Sequence, residues 1–199
     1  MKAVTLQGFN GIKQAQNEWC WAAAAASIYN WYGIRANPGS APRPQCKFIR
    51  DQIKGTAACL RHAFDGKCLS ERCPNPVTSR PEHLNLELQK YGLLRFSINC
   101  DGTTQSLGNH VCYGGFDWHE VRTNIDDGCP IGLRVMVSRD WLGTISHFLV
   151  IIGYYPPPAE RVVIWDPFTG RQDLTLDELT LSYGPLEQKY LTKQANVLT

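Results

Sequence analysis

Five consecutive alanines, Ala22 to Ala26, lie between Trp19-Cys20-Trp21 and Ser27-Ile28-Tyr29-Asn30-Trp31. Trp21, Ala24, Ala25, Ile28 and Trp31 recur at helical spacing, and the small methyl groups let a neighbouring element approach closely. Such a helix belongs in a core, so its first residues are carried to a fixed place. The spacing predicts a start near Glu18 or Cys20 and an end at Gly33, a residue suited to a helix C-terminus.

The rest of the chain separates into helical and extended stretches. Ala36 to Pro81 is rich in Pro, Cys and charge, with helical character from Phe48 toward Leu60. Ser79-Arg80-Pro81-Glu82 resembles a capping box and opens a helix through Leu84, Leu86, Leu88 and Tyr91, closed by Gly92. Leu93 to Ile98 reads as a strand. Asp117 caps a helix that ends at Gly128. Strands follow at Pro130–Val137, His147–Tyr155, Arg161–Trp165 and Gln172–Leu176, with a short helix opening at Asp177. Helices first and strands later predict an α+β fold with an antiparallel sheet. One domain spanning 1–199 is expected: a mainly helical lobe over 1–92, with a cysteine-rich insertion at about 34–80, and a mainly sheet lobe over 93–199.

The 199 residues are 43% hydrophobic, enough for a substantial core, and the net charge of +2 comes from scattered basic residues. Nothing resembles a phosphate-binding stripe, so nucleic acid is not expected as a partner. The longest strongly apolar segment, Phe148 to Tyr155, has the length of a buried strand and not of a membrane span. The first eight residues lack the apolar block of a secretory signal, which fits a chain made without one or a piece of a longer protein.

Eight cysteines are present: Cys20, Cys46, Cys59, Cys68, Cys73, Cys100, Cys112 and Cys129. If Cys20 is a free nucleophile, seven remain, and one of them must stay unpaired. Cys100 and Cys112 flank a Gly/Asn-containing loop and are the best-placed pair. Disulfides would imply an oxidising destination; the competing reading is a set of reduced, partly buried thiols. Zinc on the insertion cysteines and His62 is disfavoured by spacings unlike those of compact knuckles.

A thiol attacks as the thiolate, and a helix N-terminus favours the anion. Cys20 sits where that help is available. His147, at the predicted start of a strand, is the candidate base, and Asp166, at the end of the next strand, can orient it. Gln14, six residues before Cys20, can donate to an oxyanion together with the Cys20 N–H; Gln16 competes for that role. Each has a bland alternative: an inert buried thiol, a core histidine, a turn aspartate before Pro167, a surface glutamine. His62, His83, His110 and His119 fall in no matching motif and read as solvated or structural.

The segment Gln14-Ala15-Gln16-Asn17-Glu18-Trp19-Cys20-Trp21-Ala22-Ala23 resembles the nucleophile region of papain-like cysteine peptidases. It is closest to the bacterial branch of AvrRpt2-type effectors and peptidase C39-like proteins. Asp126-Asp127-Gly128-Cys129-Pro130-Ile131, Ser146-His147-Phe148 and Trp165-Asp166-Pro167 resemble the later half of those proteins, in the same order. The resemblance covers 14–33 and 117–179 and leaves 34–80 and 99–116 unassigned. It implies a papain-like, two-lobed domain that hydrolyses peptide or isopeptide bonds through Cys20, His147, Asp166 and Gln14, without a cofactor or metal. A deamidase or transglutaminase-like acyl transferase would use the same groups. A disulfide-stabilised binding module without catalysis is the alternative from another class. The resemblance to effectors further implies a secreted or translocated toxin domain, with an inhibitor or immunity protein as a partner.

Overall fold

A computed structural model of the chain describes residues 2–37, 41–52, 82–99, 117–139 and 143–193. Five helices and seven strands are found among them. The helices are α1 (Cys20–Ala36), α2 (Gln45–Gln52), α3 (Glu82–Lys90), α4 (Trp118–Asp126) and α5 (Leu176–Tyr183). The strands are β1 (Val4–Thr5), β2 (Leu94–Asn99), β3 (Ile131–Arg139), β4 (Gly143–Tyr155), β5 (Arg161–Asp166), β6 (Gly170–Thr175) and β7 (Leu186–Thr192). All pairings are antiparallel, in the order β2-β7-β3-β4-β5-β6, with β1 against the end of β4. The fold is α+β, as the order of elements predicts.

The alanine run explains why α1 lies at the centre. Ala22 to Ala26 are at most 1% exposed, and Trp19 and Trp21 are fully buried. The helix packs against β4, α2 and α3. Methyl-sized side chains permit that approach from several sides, while each buried tryptophan removes roughly 200 Å² from water, on the order of 5 kcal/mol as an upper figure. Its buried hydroxyl is satisfied by the helix and by the chain before it: Ser27 Oγ donates to Ala23 O at 2.7 Å and accepts the Ile12 N–H at 2.8 Å. Phe148 to Ile152 on β4 are buried in unbroken succession, so both faces of that strand are covered.

Several boundaries differ from the sequence expectation. Helix α1 runs one turn past Gly33 to Ala36. The Arg35 guanidinium donates to Gly128 O at 3.0 Å and lies over the Trp31 ring at 5.1 Å. These contacts of the last turn outweigh the cost of an interior glycine, about 1 kcal/mol. Strand β4 begins at Gly143, because its pairing with β3 extends from Ile131↔Ile151 to Arg139↔Gly143. His147 therefore lies within the strand, opposite Val135, and not at its start. Strands β1 and β7 were not anticipated. Strand β7 enters between β2 and β3, and its Lys189 is buried because its ammonium pairs with Glu120 of α4. That lysine hides the strand in the sequence.

The cysteine-rich insertion beyond Gln52, including Cys59, Cys68, Cys73 and His62, lies outside the described residues, as do His110 and the Cys100 and Cys112 pair. Cys20 and Cys129 are the free thiols among the described residues. Cys129 thus supplies an unpaired thiol beyond the nucleophile, which the odd count requires. No described helix is long and apolar enough to cross a membrane.

Candidate active site

The chain before α1 is strapped across the end of β5. Gly11 lies against the Trp165 ring so closely that a Cβ there would come within 2.1 Å of it. Trp165 Nε1 donates to Ile12 O at 3.2 Å, and the Gln14 N–H donates to Pro167 O at 2.8 Å. These contacts bring the start of α1 to the end of β5, so Cys20, His147 and Asp166 meet. Gln14 and Glu18 join them along a cleft of about 550 Å³, with Val137, Ile145 and Phe168 as apolar lining. Val137 and Ile145 are cross-strand partners two residues from Val135 and His147, hence on the same face.

His147 Nε2 is 2.8 Å from Asp166 Oδ1. Cys20 is within hydrogen-bonding reach of the same ring, which leaves Nδ1 to face the thiol. Burial acts to lower the His147 pKa, but the hydrogen bonds and charges of Asp166 and Cys20 outweigh it and lift the ring to about 9. That direction favours the imidazolium at neutral pH. Burial likewise acts to raise the Asp166 carboxyl. The His147 hydrogen bond and charge, with the Phe168 N–H and Thr169 hydroxyl, hold it well below the usual carboxylate range instead. Asp166 is 2% exposed and His147 15%. The arrangement is an ion pair with a thiol placed on its open side.

Cys20 is the first residue of α1, preceded by Trp19 in the capping position with no side-chain cap. The first N–H groups of the helix have no partner inside it, and Cys20 itself lines the cleft. Gln14 is placed at the cleft, but its amide is engaged: Nε2 donates to Gln16 O at 3.0 Å and to Asn17 O at 2.9 Å. Its Oε1 is buried with no hydrogen-bond partner. Gln16 contributes its carbonyl to this turn and is not among the cleft residues. His119 is exposed in the first turn of α4, its N–H bonded to Asp117 Oδ1 at 2.8 Å.

Three residues around the carboxylate were missed at the sequence level: Thr169, Gln172 and Tyr183. Thr169 follows Asp166 by three positions, in a turn motif that could have been read from Asp166-Pro167-Phe168-Thr169. Tyr183 closes α5, whose capping box between Thr175 and Glu178 is visible in the sequence and was not recognised. Nothing in the sequence points to Gln172. Among the described residues, no group of three or more His, Cys, Asp or Glu is placed to hold a metal ion.

A thiol beside an imidazolium–carboxylate pair, joined across a helix start and an antiparallel sheet, is the arrangement expected of a papain-like hydrolase. The chain matches the model of the Peptidase_C39 like family over residues 6–191 and belongs to that family. No curated protein matches it. Membership implies a protein or peptide as substrate.

Proposed function

We propose that the protein is a cysteine peptidase that cleaves peptide or isopeptide bonds through a Cys20 acyl-enzyme. The observation that carries this reading is the hydrogen-bonded His147–Asp166 pair with Cys20 beside it on the wall of an open cleft. Cys20 Sγ attacks the carbonyl carbon, and the π electrons move to oxygen. As the tetrahedral species collapses, the C–N bond breaks and His147 gives its proton to the leaving amine. The ring, then neutral, takes a proton from water, whose oxygen attacks the thioester and releases Cys20. Asp166 holds Nε2, so the proton shuttle runs on Nδ1.

The Cys20 N–H is the first oxyanion donor in this account. Gln14 is the second, once its amide leaves the carbonyls of Gln16 and Asn17; its position on the cleft and its unpaired Oε1 favour a side chain that turns on binding. Among papain-like peptidases, the nucleophile segment favours the bacterial branch that holds the AvrRpt2-type effectors beside the peptidase C39-like proteins. That placement makes it a secreted or translocated toxin domain, with an immunity protein as a partner and disulfides among the insertion cysteines. Expression in a susceptible cell is then harmful and Cys20→Ala harmless; equal harm from both removes the effector reading.

The test of the activity is intact mass analysis of a peptide mixture after incubation with wild type and Cys20→Ala. Split peptides that depend on Cys20 support the peptidase. A gain of about 1 Da in unsplit peptides, or an amine adduct, identifies instead the deamidase or acyl transfer that the same groups could perform. No Cys20-dependent change leaves the binding module.

A further inference from the structure

Asp166 is held by more than His147. Its Oδ1 accepts the His147 Nε2 bond at 2.8 Å and the Phe168 N–H at 2.7 Å. Its Oδ2 accepts the Thr169 hydroxyl at 2.7 Å and the Tyr183 hydroxyl at 2.8 Å. Four donors fill the capacity of an ionised carboxylate. The Tyr183 ring also lies nearly parallel to the His147 ring, at 10° with centroids 6.1 Å apart. One side chain therefore contacts both members of the pair.

Both hydroxyls must give their protons to Asp166, since an ionised carboxylate has none to offer. Each hydroxyl oxygen is then an acceptor. Gln172 Nε2 serves both, donating to Tyr183 Oη at 2.6 Å and to Thr169 Oγ1. The opposite amide orientation would bring Oε1 against two oxygens whose protons are already committed, so the network fixes the amide. Gln172 thus sets the polarity of the two hydroxyls that set the polarity of Asp166. Among the described residues, the remaining titratable groups facing the pair are Cys20 and Glu18, from α1 and the turn before it, and no lysine or arginine lines the cleft.

We propose that Tyr183, polarised by Gln172, is a positioning residue of the His147–Asp166 pair: it anchors the carboxylate toward Nε2 and so keeps the ring charged beside Cys20. This rests on the peptidase reading above. Without the tyrosine hydroxyl, Oδ2 loses an anchor, the carboxylate turns from Nε2, and the ring loses part of what counters its burial.

The experiment combines an NMR titration of His147 with alkylation of Cys20, in wild type, Tyr183→Phe and Gln172→Leu. Tyr183→Phe keeps the ring, so thermal unfolding should stay near wild type. The expected result is a His147 midpoint lowered by about one pH unit, with alkylation at mildly acidic pH slowed about tenfold and alkylation at high pH unchanged. Gln172→Leu should shift both in the same direction by less. A tyrosine that merely packs would change the melting temperature and leave the His147 midpoint alone; that outcome overturns the proposal while the peptidase reading stands. A wild type whose Cys20 is inert at acidic pH removes the peptidase reading, and the proposal with it.

Discussion

The two walls of the cleft are built differently. On the sheet side every lone pair of Asp166 is occupied, and His147 is held from one nitrogen. On the helix side polar capacity is left over: Gln14, which lines the cleft, has its Oε1 buried with no hydrogen-bond partner. A buried polar group without a partner costs roughly 1–3 kcal/mol, which a folded protein tolerates where a ligand can later satisfy it. The contrast separates two tasks. The base must be rigid before substrate arrives, while the nucleophile turn keeps groups in reserve for the substrate.

The largest effect expected under this comparison is on the shared member. Cys20→Ala should lower turnover on the order of 10⁴-fold or more, with substrate binding retained; a steady-state assay checks it. Next comes the rigid wall. Asp166→Asn keeps the shape but cannot stabilise the imidazolium, so kcat should fall on the order of 10²- to 10⁴-fold. The alkaline limb of kcat/KM is expected near pH 9 in the wild type, where the His147 ring loses its proton, and should move down toward the ordinary histidine range in the variant. A pH profile of the variant reads both.

The yielding wall should respond less. Gln14→Ala removes one donor that must first leave its loop carbonyls, so kcat should fall by about 10²-fold or less, with little change in the pH profile. A loss as deep as that of Asp166→Asn would show both walls to be equally preorganised.

The smallest effect is on stability. The folded-state value of His147 near 9 lies above its ordinary 6.5. The pair's stabilisation is therefore complete below about pH 6.5 and is lost as pH rises through 9. For Asp166, held low, it is present above the ordinary carboxyl range and lost as pH falls below it. The two arms share the His147–Asp166 contact, and the alkaline arm also carries the contribution of Cys20. Urea unfolding across pH should show the alkaline decline in the wild type and a flatter curve in His147→Ala.

How far the sequence could be read follows the same division. Cys20, His147, Asp166 and Gln14 were visible because each sits at a helix start, in an apolar strand, before a proline or at a fixed distance from the thiol. The structure brings all four to the cleft. Strand β7 was not legible, because Glu187, Gln188 and Lys189 obscure its alternation, and the pairing of Lys189 with Glu120 is a tertiary contact that no local pattern shows. Tyr183 and Gln172 were hidden for another reason. They reach Asp166 through the fold of α5 and β6 against the sheet, a tertiary relation that no local pattern encodes. The α1 boundary failed for a similar cause, since contacts of Arg35 with Gly128 and Trp31 override the signal at Gly33.

The most direct measurement is the rate of iodoacetamide labelling at mildly acidic pH, resolved by peptide mass for Cys20 and for Cys129, the other free thiol among the described residues and an internal reference. The account predicts labelling of Cys20 about a hundredfold faster than Cys129, falling to the reference rate in His147→Ala. Equal rates for the two thiols in the wild type, unchanged by His147→Ala, would contradict an activated Cys20–His147 pair.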